Sequence, residues 1–300
     1  MLLSSVKVKR IFIVVLIGIL YFSGIAAIVY PMISNVVSLS DSKVAITDYV
    51  GTVKQMPEDS LSEKLRLAEK YNSDLADGIY KDGLERVLCD KSGIVCYVDI
   101  PTLDIYLPAY YGTSKDVLQK GAGCLENTSL PIGGSSTHSV ISAHTGLPTA
   151  EMFTKLDQME KGDVFFIHVL DKVLAYRVDK IDAVTPNKTE LLRIEKGKDL
   201  CTLLTCTPYG INDKRLLVKG ERIDYPFKED DLVDKPIKAY NDSDAEKELD
   251  DNIKQQWLLI AGIIIASVAV YVIALVWLWL TSRKAVGRHM RVAEDDNGES

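Results

Sequence analysis

Two runs without a charged residue, 11–30 and 257–281, constrain this 300-residue chain more than any other feature. At 20 and 25 residues, each is long enough to cross a hydrocarbon core of about 30 Å as a helix. The intervening 31–256 is large enough for one sizeable core. Charge sets the orientation. Lys7, Lys9 and Arg10 precede the first run, and Arg283, Lys284, Arg288 and Arg291 follow the second. The positive-inside rule therefore places both termini in the cytoplasm and the middle outside, a two-pass arrangement in the cell membrane. Gly24-Ile25-Ala26 is a small-x-small triplet, so a cleaved leader is the alternative for the first run. Its length exceeds the usual 7–15 residues of a leader's apolar core, which favours an uncleaved anchor.

The tails, 1–10 and 282–300, hold 7 basic and 4 acidic groups, leaving 28 and 38 for the middle, a net of −10. A surface of that sign argues against a nucleic-acid partner. All five cysteines, Cys89, Cys96, Cys124, Cys201 and Cys206, lie in the external part, and an odd number there leaves at least one thiol unpaired. Cys89 and Cys96 flank a Ser92-Gly93 turn; a small hairpin disulfide and a pair of reduced, partly buried thiols are both open readings. There is no Cys-x-x-Cys, His-Glu-x-x-His or Asp-x-Asp-x-Asp-Gly run, so neither a metal nor a cofactor is expected.

Patterning divides the middle further. Ser60-Leu61-Ser62-Glu63 reads as a capping box, and Leu61, Leu65, Ala68, Tyr71 and Leu75 recur at helical spacing, predicting a helix over 59–75. Runs rich in Val, Ile, Tyr and Thr follow at 94–100, 105–111, 139–142, 164–170, 173–184, 200–205 and 215–223, punctuated by Pro and Gly. Seven or eight such strands with a few short helices predict a mainly β fold, a sheet closed into a barrel or sandwich rather than a βα repeat. A second helix is expected over 150–159, burying Met152, Phe153, Leu156 and Met159 and ending before Gly162, and a tight hairpin at Asp171-Lys172. The stretch 225–256, rich in Asp, Glu and Lys, reads as an acidic polar tether. The expected organisation is thus a cytoplasmic 1–10, a transmembrane 11–30, an external linker 31–58, a helix and lid-like segment 59–93, a barrel 94–224, the tether, a transmembrane 257–281 and a cytoplasmic 282–300.

The chemistry gathers at two strand ends. Thr202-Leu203-Leu204-Thr205-Cys206 is a β-rich run that ends in a cysteine just before Pro208-Tyr209-Gly210, a turn that exposes the thiol at the rim of a sheet. Ser142-Ala143-His144-Thr145-Gly146 places a histidine at another such end. An imidazole beside a thiol is the minimum pair for covalent catalysis on an acyl group. Free thiol and imidazole groups, with ordinary pKa values near 8.5 and 6.5, are both charged only about 1% of the time at pH 7.5. A nearby guanidinium favours the thiolate without titrating, which suits Arg215, nine residues after Cys206, with Lys214, Lys219 and Arg222 as rival cations on the same run. Cys201 is an odd number of positions from Cys206, so strand alternation turns it to the other face. His138 and His168 are read as structural or exposed.

Thr202-Leu203-Leu204-Thr205-Cys206 resembles the TLxTC motif of sortases, with Arg215 where that family has its arginine and 139–148 similar to the stretch bearing its histidine. The two anchors and the run 205–220 most resemble class C, the pilus-assembling sortases of Gram-positive bacteria. The resemblance implies a closed sortase-type barrel and a membrane-anchored cysteine transpeptidase. Cys206 would cleave an LPxTG-like sorting signal between Thr and Gly and hold the acyl group as a thioester, His144 would move the proton, and Arg215 would hold the substrate carbonyl or its oxyanion. Thr205, Thr207 and Tyr209 are candidates for substrate-binding or supporting roles. The implied partners are pilin subunits bearing the signal and a lysine amine of an acceptor pilin. A lipid-linked peptidoglycan precursor is the acceptor in the alternative anchoring reading. A non-catalytic membrane-tethered assembly scaffold is the rival of another class, against which the complete Cys–His–Arg set counts. Class C sortases commonly carry an Asp-Pro-aromatic lid; the nearest run here, Asp77-Gly78-Ile79-Tyr80, lacks the proline and its φ restraint. A mobile or absent lid is expected, with Asp77 and Tyr80 as the lid candidates.

Overall fold

A computed structural model describes residues 2–80, 83–225 and 242–296. They form two compact units, Met1–Ile33 with Lys254–Ser300, and Ser34–Ile253. In the first unit, helices α1 (Leu2–Lys54) and α4 (Asp242–Asp296) carry the two apolar runs, long and apolar enough to cross a membrane. Among the described residues, most of their large side chains face outward. Where the helices meet, Tyr21 stacks on Tyr271 with centroids 5.8 Å apart and donates to the Ser267 carbonyl at 3.2 Å, while Phe22 meets Tyr271 edge-on.

In the second unit α1 continues to Lys54, so the segment expected to be a linker is helical. Its Val36, Ile46, Tyr49 and Val53 are buried. Tyr49 Oη donates to the Val95 carbonyl at 3.1 Å and accepts from Leu170 N at 2.8 Å, so burying the ring leaves no unpaired hydroxyl. Helix α2 spans Glu58–Ala76 and buries Ala68, Tyr71, Asn72 and Leu75, the expected apolar face. The expected capping box does not form. Pro57 is the N-cap and makes no side-chain cap, so Ser60 already lies inside the helix; Glu58 and Asp59 supply the first turn with negative charge instead. Two bonds from the Asn72 amide hold α2 to Leu130, one to its carbonyl at 3.0 Å and one from its N–H at 2.7 Å. The second half of the expected tether, from Asp242, is helical as part of α4; 226–241 and 297–300 lie outside the described residues.

Eight strands close into a barrel in the order β1-β2-β3-β4-β7-β8-β6-β5. They are β1 Ile94–Ile100, β2 Ile105–Tyr111, β3 Ala122–Cys124, β4 Thr137–Ser142, β5 Val164–Val169, β6 Lys172–Val184, β7 Asp199–Thr207 and β8 Lys214–Ile223. All seven sequence-derived runs are strands. β3, three residues of which two are Ala and Gly, carries no apolar alternation to betray it, and neither does the short helix α3 (Lys115–Lys120) that precedes it. The β5–β6 hairpin turns at Leu170-Asp171, one residue earlier than expected, with Leu170 at φ 51°. Phe153, Phe165, Phe166 and Tyr176 are fully buried, each contributing about 1.5–3 kcal/mol by removal from water.

The helix expected over 150–159 is absent. A single 3-10 turn, Leu156–Gln158, stands there. Met152, Phe153, Leu156 and Met159 are buried as expected, but Met152 sits at φ 42°, which no helix accommodates. The five cysteines are free thiols, so Cys89 and Cys96 are not bridged. Burial pushes the Cys96 thiol well above the ordinary range, and the neighbouring Cys124 adds to the rise.

Candidate functional site

The site is built by register. β4 runs parallel to β7, with Val140 opposite Thr202 and Ser142 opposite Leu204; β7 runs antiparallel to β8, with Thr202 opposite Lys219 and Cys206 opposite Arg215. Beyond the end of β4 the pairing persists for one more residue. Ala143 N donates to the Leu204 carbonyl at 3.1 Å, and Thr205 Oγ1 donates to the Ala143 carbonyl at 2.8 Å. His144 follows at the level of Cys206. Alternation then sorts the faces. Cys201, Leu203 and Thr205 are buried in the barrel, whereas Cys206 lies on the opposite face and is partly exposed. Arg215, directly across from Cys206, shares that outer face, and His144 lies two residues past the last β4–β7 pair, Ser142–Leu204. Continued at this register, the three candidates fall in one transverse row at one end of the barrel.

Two loops frame the row. Tyr209, 68% exposed, lies over Gly146: a Cβ added there would stand 3.0 Å from Tyr209 Cε2, and the backbone has φ 73°. Glycine satisfies both the close approach and the left-handed conformation. Thr207 ends β7 opposite Lys214. Thr205 is a tie between β4 and β7, 2% exposed. Arg215 Nη1 donates to the Asn212 and Lys214 carbonyls at 3.3 and 3.0 Å. Among the described residues no hydrogen-bond partner occupies its Nε or Nη2, so those donors remain for an oxygen brought to the row.

His138 and His168 occupy closed positions. His138 is fully buried, with Nδ1 2.8 Å from the Arg193 carbonyl and Nε2 2.7 Å from Thr202 Oγ1. Burial holds its pKa below the ordinary value; the Arg193 carbonyl opposes this, and the Lys219 cation adds to it. His168 is stacked on Tyr97 at 4.2 Å. Burial likewise raises Cys201 well above a normal thiol. Among the described residues no cluster of His, Cys, Asp and Glu has the makings of a metal site.

The lid candidates stand at the C-terminal end of α2. Asp77 caps α2, and Gly78 follows at φ 76°. Ile79 N donates to the Asp74 carbonyl at 2.8 Å and Gly78 N to the Leu75 carbonyl at 3.0 Å, the bond pattern of a Schellman ending. Proline cannot adopt that φ. Tyr80 is 68% exposed, and no hydrogen bond or ring contact joins it or Asp77 to the row among the described residues.

The pinning of the loop after His144 carries no sequence signal. Phe153 N donates to the His144 carbonyl at 3.1 Å, Gly146 N to Thr154 Oγ1 at 3.0 Å, and Glu151 N to Asn35 Oδ1 at 2.9 Å. Asn35 is 116 positions away from Glu151, beyond the reach of any local pattern.

Comparison with known proteins agrees with this geometry. Residues 98–223 match the Sortase domain family. Sortase C of Streptococcus pneumoniae is 49% identical, over 60% of this chain and 97% of that one, with a TM-score of 0.57. Sortase C of Clostridium perfringens, solved with the C-terminal cell wall sorting motif, is 46% identical over 60% and 98%, also at 0.57. Sortase A of Staphylococcus aureus is 30% identical, over 49% of this chain and 75% of its own length. Of two further Sortase A relatives, from Bacillus anthracis and Streptococcus agalactiae, the chain spans 62% and 51%. The barrel and these likenesses agree: the chain belongs to the sortase family, in its class C.

Proposed function

We propose that the chain is a membrane-anchored transpeptidase that joins pilin subunits, with its barrel on the outer face of the cell membrane and both termini in the cytoplasm. The observation that carries this reading is the row Arg215–Cys206–His144 on one partly exposed face at a barrel end. Cys206 Sγ, as thiolate, attacks the threonine carbonyl carbon of an LPxTG-like signal. Arg215 donates to the oxyanion that forms. The C–N bond to glycine then breaks as His144 gives its proton to the leaving amine, leaving a thioester on Cys206. A lysine amine of an acceptor pilin attacks that carbonyl, His144 takes its proton, and the C–S bond breaks to return the thiolate. One amide is exchanged for another, with no cofactor and no net redox change.

Related sortases support a pilin substrate: the Streptococcus pneumoniae sortase C structure bears on pilin substrate specificity, and a sortase C of Group B Streptococcus is pilus-related. The test is competition between two amines. Full-length enzyme is given a sorting peptide with either an acceptor pilin or a peptidoglycan-precursor amine. A pilin–lysine adduct is the expected product. Product from the wall amine alone would assign the chain to anchoring, and no covalent product with either would leave the scaffold reading.

A further inference from the structure

The turn that follows His144 is held in a costly conformation. Met152, 6% exposed, sits at φ 42°, in the left-handed region that a long side chain occupies only where its surroundings dictate it. Two of the bonds that dictate it close the turn on itself, Phe153 N to the His144 carbonyl and Gly146 N to Thr154 Oγ1. The Glu151–Lys155 ion pair, 2.9 Å, is internal too. The third bond is of a different kind: Glu151 N, beside the strained residue, donates to Asn35 Oδ1 at 2.9 Å, and Asn35 belongs to α1. It stands five positions past Tyr30, where the first apolar run ends.

We propose that Asn35 is a positioning residue for His144. Its side-chain oxygen fixes the apex of the turn at Glu151. Met152 transmits that constraint to Phe153, and Phe153 N holds the His144 carbonyl, so the imidazole is presented at the level of Cys206. The helix that carries the first membrane-spanning run thereby takes part in setting the acid–base step. This rests on the reading of His144 as the group that moves the proton.

The experiment uses the full chain in phospholipid vesicles, with a sorting peptide and an amine acceptor, and compares Asn35→Leu, which removes the acceptor at similar size, with Asn35→Asp, which keeps one. Asn35→Leu is expected to lower kcat by about ten- to a hundredfold, the scale of a sub-ångström to ångström misplacement of a catalytic group. KM for the peptide stays unchanged, and hydrogen exchange at the Glu151 amide quickens. Asn35→Asp is expected to retain both kcat and amide protection. Equal losses in the two variants, or wild-type kcat in Asn35→Leu, overturn the proposal. His144→Ala is measured alongside. An undiminished rate there overturns the functional reading and the proposal with it, whereas a rate lost in His144→Ala and kept in Asn35→Leu overturns the proposal alone.

Discussion

The outer face of β4, β7 and β8 carries two rows built from similar residues. One pairs Thr202 with Lys219 beside His138; the other pairs Cys206 with Arg215 at the level of His144. Each has a histidine on the β4 side, a hydroxyl or thiol on β7 and a base on β8. They differ in cover. Over the first row lies the connection between β6 and β7, whose Arg193 carbonyl accepts from His138 and whose Glu195 takes Lys219 at 2.8 Å. The second row is framed by loops and partly exposed. Buried imidazole with both nitrogens bonded is a strut; the same group at an open strand end beside a thiol is equipped for chemistry. Cover separates the two, in addition to the thiol and guanidinium that only the open row carries.

The largest break in that comparison comes from the open row. Cys206→Ala is expected to lower transpeptidation by about 10⁴-fold or more, measured as covalent product per enzyme. His144→Ala costs about 10²–10⁴-fold in kcat, and Arg215→Ala about 10²–10³-fold; a loss confined to KM for Arg215→Ala would reduce it to a binding group. In the covered row the effects are of another kind. His138→Gln is expected to leave kcat intact and lower unfolding free energy by about 1–3 kcal/mol, since Thr202 and the Arg193 carbonyl lose buried partners, a change read in denaturant titration.

The covered row also titrates in a definite direction. His138 is held below its ordinary pKa of about 6.5 by burial. The unfolded chain therefore binds the proton first. The stability that the neutral ring contributes is complete above about pH 6.5 and is lost as pH falls below it, so the midpoint of thermal unfolding falls there and falls less in His138→Gln. The smallest expected signal is the sharpest on cover. Thr202→Cys in a Cys206→Ala background places a thiol beside His138 and opposite Lys219, and no covalent product is expected; any product would show that residue type suffices.

The sequence exposes the open row because its parts are local: a cysteine and a histidine each end a β-rich run before a turn, and Arg215 follows at a fixed spacing. What brings them together is long-range, since register between β4 and β7 is set by pairing 62 residues apart. Seven strands announce themselves by composition, while β3 is too short and too small-sided to do so. The apolar pattern over 150–159 identifies the buried residues and misnames their conformation, because Asn35 and Thr154 capture backbone N–H groups at Glu151 and Gly146 and hold a turn in place of a helix. The Ser60 capping box fails for a simpler reason: Pro57 has already started the helix.

The most direct test of the account is where the acyl group goes. Full-length enzyme is incubated with a sorting peptide in the absence of acceptor amine, trapped in acid and mapped by peptide mass spectrometry. The account predicts the peptide's acyl mass on Cys206, with Cys89, Cys96, Cys124 and Cys201 unmodified. Acyl mass on any of those four, or transpeptidation product from Cys206→Ala with no acyl-enzyme at all, would contradict it.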